Sequence, residues 1–128
     1  MARSNNPAAT PTIRKQPVVY GYLRAEVPDE LEIALWRKEI GLFCERQGYT
    51  LASIFTDRGV QHDQLGRPGL DGLLDVLAIP ETYGFVVPSK AHLSLDNGVL
   101  VVLGLLISNT DAAIIVMDEH PGDVSVWW

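Results

Sequence analysis

Cysteine and long apolar runs are both scarce in this sequence. The single cysteine, Cys44, cannot form an internal disulfide, so a disulfide-stabilised scaffold is excluded and a cytoplasmic protein is expected. The longest uncharged apolar run, residues 99–107, is far shorter than the ~20 residues that a membrane helix needs. Residues 1–7 lack the apolar core of a secretory signal. These features predict a water-soluble domain with no membrane partner.

Basic residues are also few. Ten lysines and arginines stand against sixteen acids, which gives a net charge of −6. Arg3, Arg14 and Lys15 lie in the first fifteen residues, which contain no acid, so the rest of the chain carries a net charge of −9. An acidic domain repels the phosphate backbone unless its arginines cluster. We therefore expect weak DNA binding, and a protein partner or a second copy of the chain as the main ligand.

The domain is predicted to begin after a disordered leader. Residues 1–16 contain Pro7 and Pro11 among small polar residues and have no hydrophobic periodicity. With 47% apolar and 20% charged residues, the chain has the composition of a globular protein. The sequence therefore predicts a leader over residues 1–16 and one domain over residues 17–128.

Strand-like and helix-like segments alternate through this domain. Short β-branched and aromatic runs predict strands over residues 18–23, 50–56, 83–87 and 112–117. Apolar residues at helical spacing predict helices between Asp29 and Gly48, from Pro68 through Leu77, and over 99–107. This order implies right-handed crossovers and a mostly parallel sheet with helices on both faces. The predicted fold class is a three-layer α/β/α domain.

Polar segments follow each predicted strand. In open parallel sheets, ligands bind beyond the carboxyl ends of the strands. A site is therefore expected among residues 24–26, 57–59, 88–92 and 118–120.

Three stretches of the sequence, which overlap these polar segments, resemble in their order the catalytic domain of serine recombinases, the resolvase and invertase family. Residues 21–26, Gly-Tyr-Leu-Arg-Ala-Glu, are similar to the family's first strand, Gly-Tyr-x-Arg-x-Ser. Residues 54–57 followed by 67–70 are similar to its second strand and arginine-led helix. Residues 86–95 occupy the place of its third strand and its Asp-Arg-Leu-x-Arg motif. The resemblance covers residues 18–119 and implies the resolvase fold.

Four positions depart from the family's pattern. Glu26 stands where the family has its nucleophilic serine, and Ala91, His92 and Leu95 stand where its motif has an aspartate and two arginines. Strand exchange needs a hydroxyl that attacks a phosphodiester and guanidiniums that hold the phosphate. The resemblance thus implies a degenerate, catalytically inactive domain that serves as a protein-interaction or regulatory module.

Two residues match the family's active-site arginines, Arg24 and Arg67. They either form an anion-binding site, with Glu26 as an internal counter-ion, or pair with Glu26 at the surface. Two alternative functions stay open beside the inactive module. One is an active recombinase domain with a displaced nucleophile such as Ser89, and the other is a small-anion or nucleotide-binding protein.

Neither a metal nor a cofactor is expected. His62, His92 and His120 have no metal-ligand spacing, and the glycines lack phosphate-loop order. Trp127 and Trp128 are either part of a partner interface or fold back onto the domain.

Overall fold

The computed structural model describes residues 16–119. Apart from Gln16, the predicted leader lies outside the described residues, as do His120, Trp127 and Trp128. Seven helices and strands follow one another in this part of the chain: β1 Val18–Ala25, α1 Glu30–Gln47, β2 Thr50–Arg58, α2 Pro68–Leu77, β3 Thr82–Val87, α3 Asn97–Ser108 and β4 Ala113–Val116. Short 3₁₀ turns lie at Lys90–His92 and Met117–Glu119.

The four strands form one parallel sheet in the order β2-β1-β3-β4. Successive side chains of a strand point to opposite faces, and β1 separates them accordingly. Val19 and Leu23 pack with α1, whereas Tyr22 packs with α2 and α3. One helix therefore covers one face and two helices cover the other, which confirms the predicted three-layer α/β/α class.

The ends of α1 are set by local sequence. The side chain of Asp29 accepts hydrogen bonds from the backbone N–H groups of Leu31 and Glu32. Gly48 ends the helix with a φ of 78°, a left-handed conformation that glycine adopts without steric cost. Cys44 lies on the buried face of α1, as predicted, and burial raises the pKa of its thiol to about 11.

The strands next to the candidate site differ in length from the predicted ones. β1 extends to Ala25 and β2 to Arg58, so that Arg24 is paired with Asp57 inside the sheet rather than in a loop. β4 is shorter than predicted, since Met117 begins a 3₁₀ turn. No helix within residues 16–119 is long and apolar enough to cross a membrane.

Close approach of β3 and β4 depends on Gly84. This residue pairs with Ala113, and a Cβ atom at position 84 would collide with the Ala113 carbonyl oxygen. Because that oxygen belongs to the backbone, the collision can be relieved only by separating two strands. Gly84 is therefore a packing requirement of the sheet.

We predict that Gly84→Ala lowers the free energy of unfolding by at least about 2 kcal/mol, through forced separation of the strands. Chemical denaturation measures the change. The matched control is Gly41→Ala in α1, where an added Cβ meets nothing within 4 Å. That control should raise stability by roughly 0.5–1 kcal/mol through helix propensity. Equal stability of the two variants would contradict this account of Gly84.

Candidate functional site at the carboxyl edge of the sheet

A buried carboxylate organises the carboxyl edge of the sheet. Asp57, near the end of β2, is only 3% exposed. Its two oxygens accept hydrogen bonds from the backbone N–H groups of Gly69 (2.6 Å) and Leu70 (2.9 Å). The helix α2 has no side-chain cap from Arg67, its own N-cap residue. Asp57 therefore caps α2 from the neighbouring strand, where its negative charge also complements the helix dipole.

Two neighbouring residues, Tyr22 and Gly69, accommodate this carboxylate, one by a hydrogen bond and the other by its lack of a side chain. The hydroxyl of Tyr22, in β1, donates to Asp57 Oδ2 at 2.7 Å. Burial, together with this hydrogen bond, raises the pKa of Tyr22, so the hydroxyl stays a neutral donor. A Cβ atom at Gly69 would lie 2.8 Å from the Asp57 carboxylate, so the glycine leaves the space that the carboxylate occupies.

Arg67 is fully buried, and backbone carbonyls surround its guanidinium. Nε donates to Gln64 O at 2.6 Å and Nη2 to His62 O at 2.7 Å, both in the loop between β2 and α2. Nη1 lies 3.5 Å from His92 O, in the turn after β3. The arginine thus joins two loops at the sheet edge.

Arg24 makes a similar connection from β1. Its side chain is only 7% exposed, and its Nη1 and Nη2 donate to Val60 O at 3.0 Å and Ala91 O at 2.7 Å. Burial, and then the charge of Arg67, lower the pKa of this guanidinium. Glu26 Oε1 lies 3.9 Å from Nη1 and is 43% exposed as a side chain. Arg24 Nε is buried without a hydrogen-bond partner among the described residues.

His92 completes the cluster as a neutral side chain. Its Nδ1 accepts a hydrogen bond from the backbone N–H of Arg24 at 3.1 Å. Its ring meets that of Trp36 edge-on, with the centroids 5.6 Å apart. Burial, and then the charge of Arg24, lower the pKa of His92 to about 4. At neutral pH this side chain is therefore uncharged.

The structure brings most of the predicted site residues together. Arg24, Glu26 and His92 line a cavity of about 310 Å³ together with Glu32 and Trp36. Ala91 contributes a carbonyl to Arg24. Ion pairing with Glu26 involves Arg24, whereas Arg67 is buried beneath the surface.

Two predicted residues lie apart from this cluster. Leu95 is 66% exposed and takes no part in the described hydrogen bonds of Arg24 or Arg67. Ser89 lines a different cavity, of about 370 Å³, beside Pro88, Met117 and Asp118. Within residues 16–119, no group of three or more histidine, cysteine, aspartate or glutamate side chains is placed to hold a metal ion.

The sequence placed Asp57 among the polar residues expected at the site and Tyr22 in a strand, but it did not predict that Asp57 caps α2 or that Tyr22 binds Asp57. One signal pointed to them. The helix that begins at Pro68 follows Arg67, which is not one of the residues that cap helices with a short side chain. Its free N–H groups therefore required an acceptor from elsewhere in the fold.

The fold and this buried polar edge define a parallel α/β domain with its polar centre beyond the strand ends. No family model and no curated protein matches the sequence. Solved structures do match the fold, among them two serine recombinases, a resolvase family recombinase and the catalytic domain of an integrase. The fold of this chain is therefore that of the serine recombinase, or resolvase, catalytic domain, as the sequence resemblance predicted.

Three of these structures show the extent of the likeness. The N-terminal catalytic domain of TP901-1 integrase has a TM-score of 0.70 at 19% identity, over 80% of this chain and 79% of that one. The C-terminal catalytic domain of ISC1926 TnpA, an IS607-like serine recombinase, has a TM-score of 0.69 at 16% identity, over 84% and 74%. A resolvase family site-specific recombinase from Streptococcus pneumoniae has a TM-score of 0.67 at 12% identity, over 87% and 83%.

We predict that Asp57→Asn lowers the free energy of unfolding by about 2–3 kcal/mol, because an amide cannot accept from both N–H groups of α2 and from Tyr22. Tyr22→Phe removes one donor and should cost about 1 kcal/mol. The double variant should lose less than the sum of the two single losses, since the two groups share one hydrogen bond. Urea denaturation measures all three, and strictly additive losses would contradict the shared bond.

The neutral His92 predicts a pH dependence of stability. Its pKa in the fold is about 4, below the ordinary 6.5, so the unfolded chain binds the proton more readily. The contribution of neutral His92 to the free energy of unfolding is complete above pH 6.5. It is lost as the pH falls from 6.5 to 4, which lowers the free energy of unfolding by roughly 2–3 kcal/mol.

The matched control for this pH dependence is His92→Asn. Its side-chain oxygen can still accept from the Arg24 N–H but does not titrate in this range. The free energy of unfolding, measured from pH 7 to pH 4, should fall more steeply for the parent protein than for this variant. Parallel curves would exclude the assigned role of His92.

Proposed function

We propose that this chain is a recombinase-fold domain that does not carry out DNA strand exchange and acts as a protein-interaction or regulatory module. One observation carries the proposal. The guanidinium groups of Arg24 and Arg67 donate hydrogen bonds to backbone carbonyls of their own chain. These hydrogen bonds hold the loops against the edge of the sheet. Apart from Arg24 Nε, the guanidinium nitrogens are therefore engaged in holding the fold, whereas phosphate recognition requires donors that face the ligand.

The groups beside Arg24 also argue against phosphodiester chemistry. Glu26 presents a carboxylate at the position that corresponds to the family's serine, 3.9 Å from Arg24. A carboxylate repels the phosphate and the charge that develops during its transfer. By the sequence resemblance, His92 stands where the family has an arginine. Because His92 is neutral, it supplies no positive charge at that position.

A role in protein binding is supported by the surface of α3. Four apolar side chains of this helix, Val101, Val102, Leu105 and Leu106, are 42–63% exposed. Adjoining exposed side chains of this kind mark interaction sites on globular domains.

A small-anion or nucleotide-binding function is the second candidate, and one unpaired hydrogen-bond donor favours it. Arg24 Nε is buried without a hydrogen-bond partner within the described residues, beside the 310 Å³ cavity. The active-recombinase alternative with Ser89 as nucleophile has less support, because Ser89 lines a different cavity from Arg24.

We predict that the protein forms no covalent link to DNA. Labelled duplex DNA is titrated with the protein from low to moderate salt, and the same samples are run on a denaturing gel. The proposal expects no band that survives denaturation. A surviving band that disappears in Ser89→Ala would establish the active-recombinase alternative and overturn the proposal.

A parallel titration with inorganic phosphate distinguishes the second candidate. Under that hypothesis Glu26→Gln binds phosphate more tightly than the parent protein, since it removes a repelling charge beside Arg24. The interaction-module proposal expects no saturable phosphate binding by either protein. Saturable binding that tightens in the variant would replace it with the anion-binding function.

A further inference from the structure

One side of α1 carries an aromatic ring between two acids. Glu32, Trp36 and Glu39 are separated by four and three residues, a spacing that places side chains in a row along one side of a helix. Trp36 is half-buried, and its ring meets that of His92 edge-on, with the centroids 5.6 Å apart. This contact holds the ring in place within the row.

Trp36 lines two cavities, which therefore adjoin each other at its side chain. The cavity of about 310 Å³ has Glu26 and Glu32 in its lining, and we call it the α1 cavity. The neighbouring cavity, of about 370 Å³, has three charged residues in its lining: Glu39, Arg46 and Asp118.

The carboxylates of the α1 cavity are available to a ligand. The side chain of Glu32 is exposed and forms no ion pair within residues 16–119. Glu26 is 43% exposed and lies 3.9 Å from Arg24, whose single positive charge offsets one of the two acids. His92, which also lines the cavity, is uncharged at neutral pH. The α1 cavity therefore carries a net negative charge and attracts a cation.

A buried donor in the same cavity calls for a second kind of contact. Arg24 lines the α1 cavity with a side chain that is only 7% exposed, and its Nε has no hydrogen-bond partner among the described residues. A buried donor without a partner is costly, so an acceptor supplied by a ligand is favoured. The α1 cavity thus fits a ligand that brings a cation and an oxygen acceptor together.

These two requirements select among classes of ligand. Inorganic phosphate can accept from Arg24 Nε, but Glu26 and Glu32 repel it. A metal cation is attracted by the carboxylates but offers no acceptor to the arginine. A peptide that contains arginine or lysine offers both groups, since each of its residues has a carbonyl oxygen and its cationic side chain can stack on an aromatic ring.

We propose that the α1 cavity binds a basic segment of a partner protein. The cationic side chain of that segment lies beside the Trp36 ring and pairs with Glu26 and Glu32. A backbone carbonyl of the same segment accepts from Arg24 Nε. This inference deepens the proposed function, on which it rests, by naming the chemistry of the partner that the module recognises.

The test is calorimetric titration of the whole chain with an acetylated and amidated nonapeptide of three Gly-Arg-Leu repeats. We expect saturable binding that weakens at least tenfold when citrulline replaces each arginine. Citrulline keeps the shape of the side chain and the backbone carbonyls, but it has no charge. Absence of binding by the arginine peptide, or equal affinity of the two peptides, would overturn the proposal.

A pair of matched variants separates the cavity from the overall charge of the protein. Glu32→Gln should weaken binding of the arginine peptide at least threefold, because it removes a carboxylate from the α1 cavity. Glu45→Gln removes the same charge from an exposed side chain near the other end of α1. This control should leave the affinity within 1.5-fold. Equal losses in the two variants would show that net charge attracts the peptide, and would exclude the α1 cavity.

A third variant tests the aromatic ring. Trp36→Leu keeps an apolar side chain but removes the ring, so the arginine peptide should bind at least threefold more weakly. Thermal unfolding shows that the variant is folded. Unchanged affinity in the folded variant would overturn the role of Trp36, while Glu32→Gln tests the cavity independently of this substitution.

The basic residues at the start of this chain are the competing occupant. Arg14 and Lys15 lie outside the described residues, and the double variant Arg14→Gln, Lys15→Gln removes their charges. If they occupied the α1 cavity, this variant would bind the arginine peptide more than tenfold more tightly than the parent protein. That result would overturn the assignment to a partner protein, whereas affinities within threefold support it.

Two further outcomes separate this inference from the proposed function. A protein that neither binds the arginine peptide nor links covalently to DNA would overturn the inference and leave the interaction module with a different partner. A protein that binds the peptide in the α1 cavity and also forms a covalent DNA link would retain the binding site, while the proposed loss of strand exchange fails.

Discussion

The Asp57 carboxylate is the interaction on which the carboxyl edge of the sheet depends. It extends from β2, accepts the Tyr22 hydroxyl of β1, and caps α2 at Gly69 and Leu70. Two strands and a helix are thereby held together by one buried group. A buried carboxylate is tolerated only when its oxygens are fully hydrogen-bonded, and three donors meet that requirement here.

The two arginines extend this arrangement to the loops. Arg67 and Arg24 bind carbonyls of the loop after β2 and of the turn after β3, which places both segments against the sheet. In a recombinase-fold domain this edge is where phosphate chemistry is expected. In this chain the same positions serve internal cohesion, since the donors bind backbone carbonyls and His92 is neutral. The structural use of these residues and the proposed loss of catalysis therefore have one physical origin.

The helix α3 differs from the polar edge of the sheet, because its side chains are not all covered by the rest of the described chain. The polar edge satisfies its groups within the chain, whereas α3 leaves apolar side chains uncovered between Val101 and Leu106. Hydrophobic burial is non-directional and scales with area, so an uncharged surface can bind without the fixed geometry that catalysis requires. An interaction module and a closed polar centre are thus compatible within one small domain.

Local patterns in the sequence determined the alternation of strands and helices, the three layers, and the caps at Asp29 and Gly48. The caps depend on residues within one or two turns of each other, and the order of strands and helices implies the layers. The resemblance to serine recombinases indicated which strand ends carry the candidate site. Only the tertiary structure decided that Asp57 caps α2 and binds Tyr22, which lies 35 residues away. It also decided that Arg67 is buried rather than exposed. Such contacts join strands and loops that are distant in sequence, and no local periodicity encodes them.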